Sequence, residues 1–195
     1  MFKIIFCLKI LLLLNSFLPS QNINFKGQFN TIILTSNDAP NNWHTHESVF
    51  RYLPTLSLKK ETSKNKLFDF EWAYNLKRYY VGDSLYNNNE NNHRLWIRYS
   101  YDKIEARFGL QKIVFGPTQI LRPLSWFDTF DLKDPTGQTN GVEALRLRWF
   151  PSNNIGLSSW IINNKLNTLT YGGRGEFSTS LGDFGVTYHK DPSKS

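Results

Sequence analysis

Cysteine is almost missing from this chain of 195 residues: Cys7 is the only one, so no disulfide can staple the fold. Long apolar runs are missing too. Beyond the first twenty positions nothing approaches the ~20 consecutive apolar residues of a membrane helix, which excludes a bundle of such helices. That exclusion does not reach membrane β-barrels, whose hydrophobicity is diluted by alternation. Glycine and proline, at 12 and 8, are too few for a collagen-like or low-complexity chain. With 40% hydrophobic and 20% charged residues, the composition is that of a folded protein of about one domain. What is abundant is aromatic surface: 15 Phe, 6 Trp and 9 Tyr, 15% of the chain, at a mean hydropathy of −0.43.

Met1 to Gln21 reads MFKIIFCLKILLLLNSFLPSQ. Early Lys3 and Lys9, an apolar stretch from Ile10 to Leu14 and a small-residue exit over Ser16 to Ser20 form the pattern of a secretory signal peptide. A transmembrane anchor is the competing reading, but the run is short and Asn15 and Pro19 interrupt it. Residues 1–21 are therefore expected to be a removable signal and 22–195 the working domain. Loss of Lys3 and Lys9 lowers the formal charge from +7 to +5. It also leaves no cysteine, in an exported location where disulfides would be permitted.

Beyond the signal the apolar period is two. Phe50, Tyr52, Leu56 and Leu58 share one parity against Arg51, Thr55, Ser57 and Lys59. Phe68, Phe70, Trp72, Tyr74 and Leu76 alternate with Asp69, Glu71, Ala73, Asn75 and Lys77. Leu95, Ile97, Tyr99 and Tyr101 alternate with Arg94, Arg98, Ser100 and Asp102. Similar runs follow over 104–111, 144–149, 169–177 and 184–188. Residues i and i+2 share a strand face, so each run has one apolar and one polar face. No stretch keeps a 3.6-residue period, and the chain is predicted to be all-β.

Connections are predicted to alternate in length. Tyr101-Asp102-Lys103-Ile104, Pro151-Ser152-Asn153-Asn154 and Leu181-Gly182-Asp183 read as tight turns. Asn37 to His46, Tyr86 to Asn92 (YNNNENN) and Gly116 to Gly141 read as longer polar links. Outer-membrane barrels have short periplasmic turns, longer outer loops, strands of roughly 10 residues and aromatic girdles. Tyr79, Tyr80, Tyr99, Tyr101, Trp149 and Phe150 fall near run ends, where girdles would sit. A soluble β-sandwich also alternates, but its strands are usually nearer 5–6 residues and its polar face carries fewer long charged side chains. Pro54, inside a run, counts against a central strand there.

Residues Ala106 to Pro151 carry a resemblance. Arg107, Gly109, Gln111, Ile113 and Gly116 match an outgoing strand of the form R-x-G-x-Q-x-I-x-x-G. Pro117, Leu121, Pro123, Leu124, Trp126, Asp128 and Asp131 to Pro135 fill a Pro- and Asp-rich loop. Gly141, Val142, Ala144, Leu145, Arg146 and Arg148 match a G-V-x-A-L-R-x-R return. The block resembles one found in porin-like outer-membrane barrels of Gram-negative bacteria, most of them without an assigned substrate. The resemblance implies an antiparallel up-and-down transmembrane β-barrel in the outer membrane, and it speaks to fold and compartment more than to activity. About nine strands are expected between Asn24 and Lys190, an odd count where such barrels normally have an even one. The final residues also lack the terminal aromatic that the resemblance implies. The expected architecture is the N-terminal part of a larger barrel, with an eight-stranded barrel plus tail as the alternative.

Arg94, Arg98, Arg107, Arg146, Arg148 and Arg174 fall on the polar parity, joined by Arg51 and Lys77. Inward guanidinium groups around a watery pore favour carboxylate and phosphate groups, so these eight are the candidate pore lining. Asp128, Asp131 and Asp134 are candidates for a constriction loop folded into the lumen. The competing reading is an internal salt-bridge network with Asp69, Glu71, Asp102, Glu105, Glu143 and Glu176, which would fill the barrel and conduct nothing. Expected partners are outer-membrane lipid and small polar or anionic solutes; export argues against nucleic acid.

No enzyme signature, cofactor motif or metal site emerges. His44 and His46 could share a strand face but have no partner cluster, and the loop aspartates lack EF-hand spacing. Gly172-Gly173-Arg174-Gly175 lacks the Lys-[Ser/Thr] ending of a phosphate loop, so its glycines are expected to relieve crowding or bend a strand. His93 and His189 have no nucleophile motif beside them. A non-conducting barrel, or a secreted sandwich binding carbohydrate through Trp and Tyr, are the alternatives to a channel.

Overall fold

A computed structural model describes residues 21–38, 44–113, 138–139, 141–163 and 168–190. The signal segment up to residue 20 and the loop residues Asp128, Asp131 and Asp134 lie outside the described residues. Nine strands follow in chain order: β1 (Gln21–Thr35), β2 (His46–Ser63), β3 (Lys66–Val81), β4 (Ser84–Tyr101), β5 (Ile104–Gln111), β6 (Val142–Ser152), β7 (Ile155–Asn163), β8 (Leu169–Thr179) and β9 (Gly182–Lys190). Each pairs antiparallel with its sequence neighbours in one sheet of order β1 to β9. The chain is thus all-β, an up-and-down meander. Among the described residues β1 and β9 are free edges, so the sheet is open rather than a closed barrel.

The registers put the two parities on opposite faces throughout. One lateral row runs Asn22, Lys59, Asp69, Arg98, Arg107, Arg146, Trp160, Gly172, His189 across all nine strands. The neighbouring row on the other face runs Ile23, Leu58, Phe70, Ile97, Phe108, Leu145, Ile161, Tyr171 and Lys190. Exposure separates the faces. Arg51 and Trp160 on the polar face are 3% and 2% exposed, whereas Phe25 and Phe108 on the apolar face are 66% and 62% exposed. A single sheet can bury one face only by curving around it, and here the buried face is the polar one. A soluble sandwich would bury the other face. Instead the described strands form one layer whose aromatic face is left uncovered, far beyond the scattered apolar residues of an ordinary surface.

Two-residue turns at 64–65, 102–103, 153–154 and 180–181 occupy one end of the sheet. At the other end the chain turns at 82–83 and leaves and re-enters the sheet between Thr35 and His46, Gln111 and Val142, and Asn163 and Leu169. Asp102 takes φ 48°, a left-handed conformation that Asp tolerates better than most residues. YNNNENN is not the loop its composition predicts. It is the first half of β4, and the chain turns instead at Gly82 and Asp83. Asparagine is disfavoured in strands on average, but across the sheet Asn91 meets Asn75 and Asn89 meets Lys77. The amide pair closes with Asn75 Nδ2 donating to Asn91 Oδ1 at 3.1 Å. Tyr79 and Phe150, expected in aromatic girdles, fall on the polar face, since their parities match Lys77 and Arg148. Tyr79 there donates its hydroxyl to Glu47 Oε2 at 2.7 Å.

Candidate functional site

The concave face is the only surface on which the polar chemistry converges among the described residues, and its side chains fall into three zones. Near the end carrying the long links, β1 to β4 present amides and two cations. Arg51 Nε donates to Asn75 Oδ1 at 2.7 Å, and Lys77 stands opposite Arg51 and Asn89. Toward the two-residue turns lies an arginine ladder. Arg98, Arg107 and Arg146 are direct lateral neighbours on β4, β5 and β6. Arg148 faces Glu105 and Ser158, and Ser158 faces Arg174.

Acids interrupt the ladder. Arg98 pairs with Asp69, its Nε donating to Oδ2 at 2.6 Å, and its Nη1 lies 3.3 Å from Glu105 Oε2. Glu105 Oε1 is 3.6 Å from Arg107 Nη2. Arg174 Nε donates to Glu176 Oε1 at 2.6 Å and its Nη1 to Thr187 at 3.0 Å. Two of the acids expected in this network do not belong to it. Asp102 is in a turn, and Glu143 sits on the opposite face between Leu110 and Asn163, at the strand end where the outer face turns polar. The eight basic residues proposed from parity, Arg51, Lys77, Arg94, Arg98, Arg107, Arg146, Arg148 and Arg174, all lie on the concave face.

The third zone is apolar and was not legible from the alternation. Trp160 and Ile162 of β7 face inward with Ala144 and pack with Ile113, flanked by Val142. The end of β7 carries bulky apolar residues on both parities, so no alternation marks its inner face. Trp160 Nε1 donates to His189 Nδ1 at 3.0 Å, and the two rings stack at 6.2 Å between centroids, 13° from parallel. Gly172 lies between them in register. A Cβ there would stand 2.9 Å from both Trp160 Cε2 and His189 Nδ1, so a bare backbone is what lets the rings meet.

Between these zones a bulge re-aims β4. Ala73 pairs with Arg94 and Tyr74 with Asn92, which makes His93 the extra residue of the bulge, and both His93 and Arg94 are buried. His93 Nε2 is 2.8 Å from Gln138 Oε1, and Gln138 Nε2 donates to Gln28 Oε1 at 2.8 Å. One amide thus spans from β4 to β1 across the concave side, a distance closed only because the sheet curls. Arg94 Nη2 donates to the Thr139 carbonyl at 2.7 Å, which holds the returning end of the 112–141 link on this face. Beside these contacts is a cavity of about 430 Å³ lined by Glu71, Ala73, Arg94, Trp96, Arg107 and Lys112, among others. Trp96 Nε1 donates to Glu71 Oε1 at 3.2 Å, and the Arg107 guanidinium lies 4.5 Å from the Trp96 ring centroid. Trp96 is an aromatic on the arginine parity, and that break in alternation was the one sequence signal for this pocket.

His46 Nε2 is 3.7 Å from Asp83 at an exposed rim. Among the described residues no group of three His, Cys, Asp or Glu side chains could hold a metal ion. Comparison with protein-family models, curated proteins and solved structures finds no match for the chain.

Proposed function

We infer that this protein is exported to the outer membrane, where its sheet forms part of a porin-like β-barrel wall passing small polar or anionic solutes by diffusion. The observation that carries this reading is the pairing of faces. A continuous aromatic and aliphatic surface on the convex side suits lipid, while a concave side of arginines and amides suits water and anions. Two-residue turns throughout one end, and links of five residues or more at three of the four connections at the other, agree with periplasmic and outer ends. In a bilayer the free edges of β1 and β9 need strand partners, because unpaired backbone groups cannot face hydrocarbon.

A second reading has its own support. The Ile113, Ala144, Trp160 and Ile162 cluster and the Arg98–Asp69–Glu105 pairing fill part of the concave side, as a non-conducting structural or surface-interaction barrel would require. Membrane fractionation followed by planar-bilayer recording separates the readings. A channel stays with membranes through carbonate and urea washes and conducts with anions preferred over cations. Release by those washes without detergent overturns the membrane assignment; retention with no conductance from a folded preparation overturns the channel and leaves the structural barrel.

A further inference from the structure

We propose that the 430 Å³ cavity on the concave face is a binding subsite for a small hydroxylated monocarboxylate, with Arg107 and Lys112 taking the carboxylate and Glu71 taking a hydroxyl. The inference rests on the channel reading and adds to it the class of solute that pauses inside.

The volume lies within the range of small-molecule pockets, about 300–1,000 Å³. Its shape follows from the strands. Ala73 on β3 contributes little bulk, while Trp96 and the link residues Lys112 and Gln138 rise around the space it leaves.

The charges are placed rather than merely present. Trp96 is held by its hydrogen bond to Glu71, and the guanidinium of Arg107 is laid over that fixed ring. Arg107 lines the cavity with its side chain 19% exposed and its Nη2 3.6 Å from Glu105 Oε1, too long for a strong hydrogen bond, so the end of the fork keeps donor capacity for a ligand. A carboxylate matches that planar fork, and Lys112 adds a mobile point charge. Arg94 supplies further positive potential, although its own donors hold backbone carbonyls of His93 and Thr139. Glu71 sets the selectivity. Its carboxylate accepts readily from a hydroxyl but repels a second negative charge, which disfavours inorganic phosphate and dicarboxylates relative to a hydroxy monocarboxylate.

The test is calorimetric titration of the detergent-solubilised full chain with gluconate, with inorganic phosphate and glucose as comparison probes. Gluconate is expected to bind and the other two to bind more weakly. Lys112→Gln and Arg107→Gln are each expected to weaken gluconate by about tenfold, the loss of one charge-assisted contact. Lys112 lies outside the strands, so its variant keeps the test valid if Arg107→Gln does not fold. Glu71→Gln is expected to raise phosphate binding relative to gluconate. Gluconate binding that is absent, or unchanged in both cation variants, overturns the subsite. Bilayer conductance is read separately: conductance without gluconate binding removes the subsite and leaves the channel, while gluconate binding without conductance keeps the subsite and removes the channel.

Discussion

Gly172 shows how much one side chain decides. It lies between Trp160 and His189, and Gly172→Ala forces a methyl to within 2.9 Å of both rings. The expected cost is about 1–3 kcal/mol of overpacking, read as a lower urea midpoint in lipid or detergent. Gly175→Ala, whose Cβ would meet Leu157 at an ordinary 3.6 Å, is the matched control and should leave the midpoint nearly unchanged. The glycine-rich GGRG stretch is expected to relieve crowding, and at Gly172 the crowd is the Tyr188 backbone carbonyl, at 2.5 Å from a Cβ, together with two rings from strands on either side. Arg98 is the second decisive residue. It faces two carboxylates, one of them, Asp69, almost fully buried. Arg98→Gln should destabilise by roughly 2 kcal/mol, because it leaves those acids uncompensated. Adding Asp69→Asn should recover part of that loss, and a double-mutant cycle in urea measures the coupling.

At the scale of the element, β4 gives the sharpest departure from composition. Its YNNNENN segment reads as a loop, yet it pairs along β3 through amides and a lysine. Asn87, Asn89 and Asn91 should face inward and Asn88, Glu90 and Asn92 outward. Spin labels at single cysteines, introduced after Cys7→Ser, should therefore show period-two alternation in collision accessibility; a flat profile would mean a loop. Strand β6 offers a test of what faces the apolar side. Leu147 is 45% exposed on the convex face. In water Leu147→Lys would cost little, whereas at a lipid-facing mid-strand site it should cost about 2–4 kcal/mol, measured by folding into vesicles.

At the scale of the whole molecule, the described residues form one curved sheet whose polar side is inside. That inversion, rather than any single motif, is what argues for a membrane wall, because among the described residues a water-soluble sheet of this kind would expose a continuous face of aromatic and aliphatic side chains. On the concave side, Arg107, Arg146 and Arg148 stand close together in register with one acid, Glu105, directly beside them. Replacing all three by Gln should shift the reversal potential in a KCl gradient toward cations. An unchanged potential would mean that the ladder is screened by its own acids and that selectivity arises elsewhere.

Most of the strands, and the face of most of their side chains, were readable in the residues, since alternation is local: within a regular strand a side chain's face depends only on its parity. That is why the eight basic residues could be named as one set before any coordinate. Pairing is not local. Whether a run of asparagines becomes a strand depends on what β3 sets opposite it, and whether two arginines meet an acid depends on register between strands. Curvature is less local still. Only the folded sheet could bring Gln28, His93 and Gln138 into one chain of contacts, seat Trp160 against His189, and leave a pocket beside Trp96 where the alternation breaks.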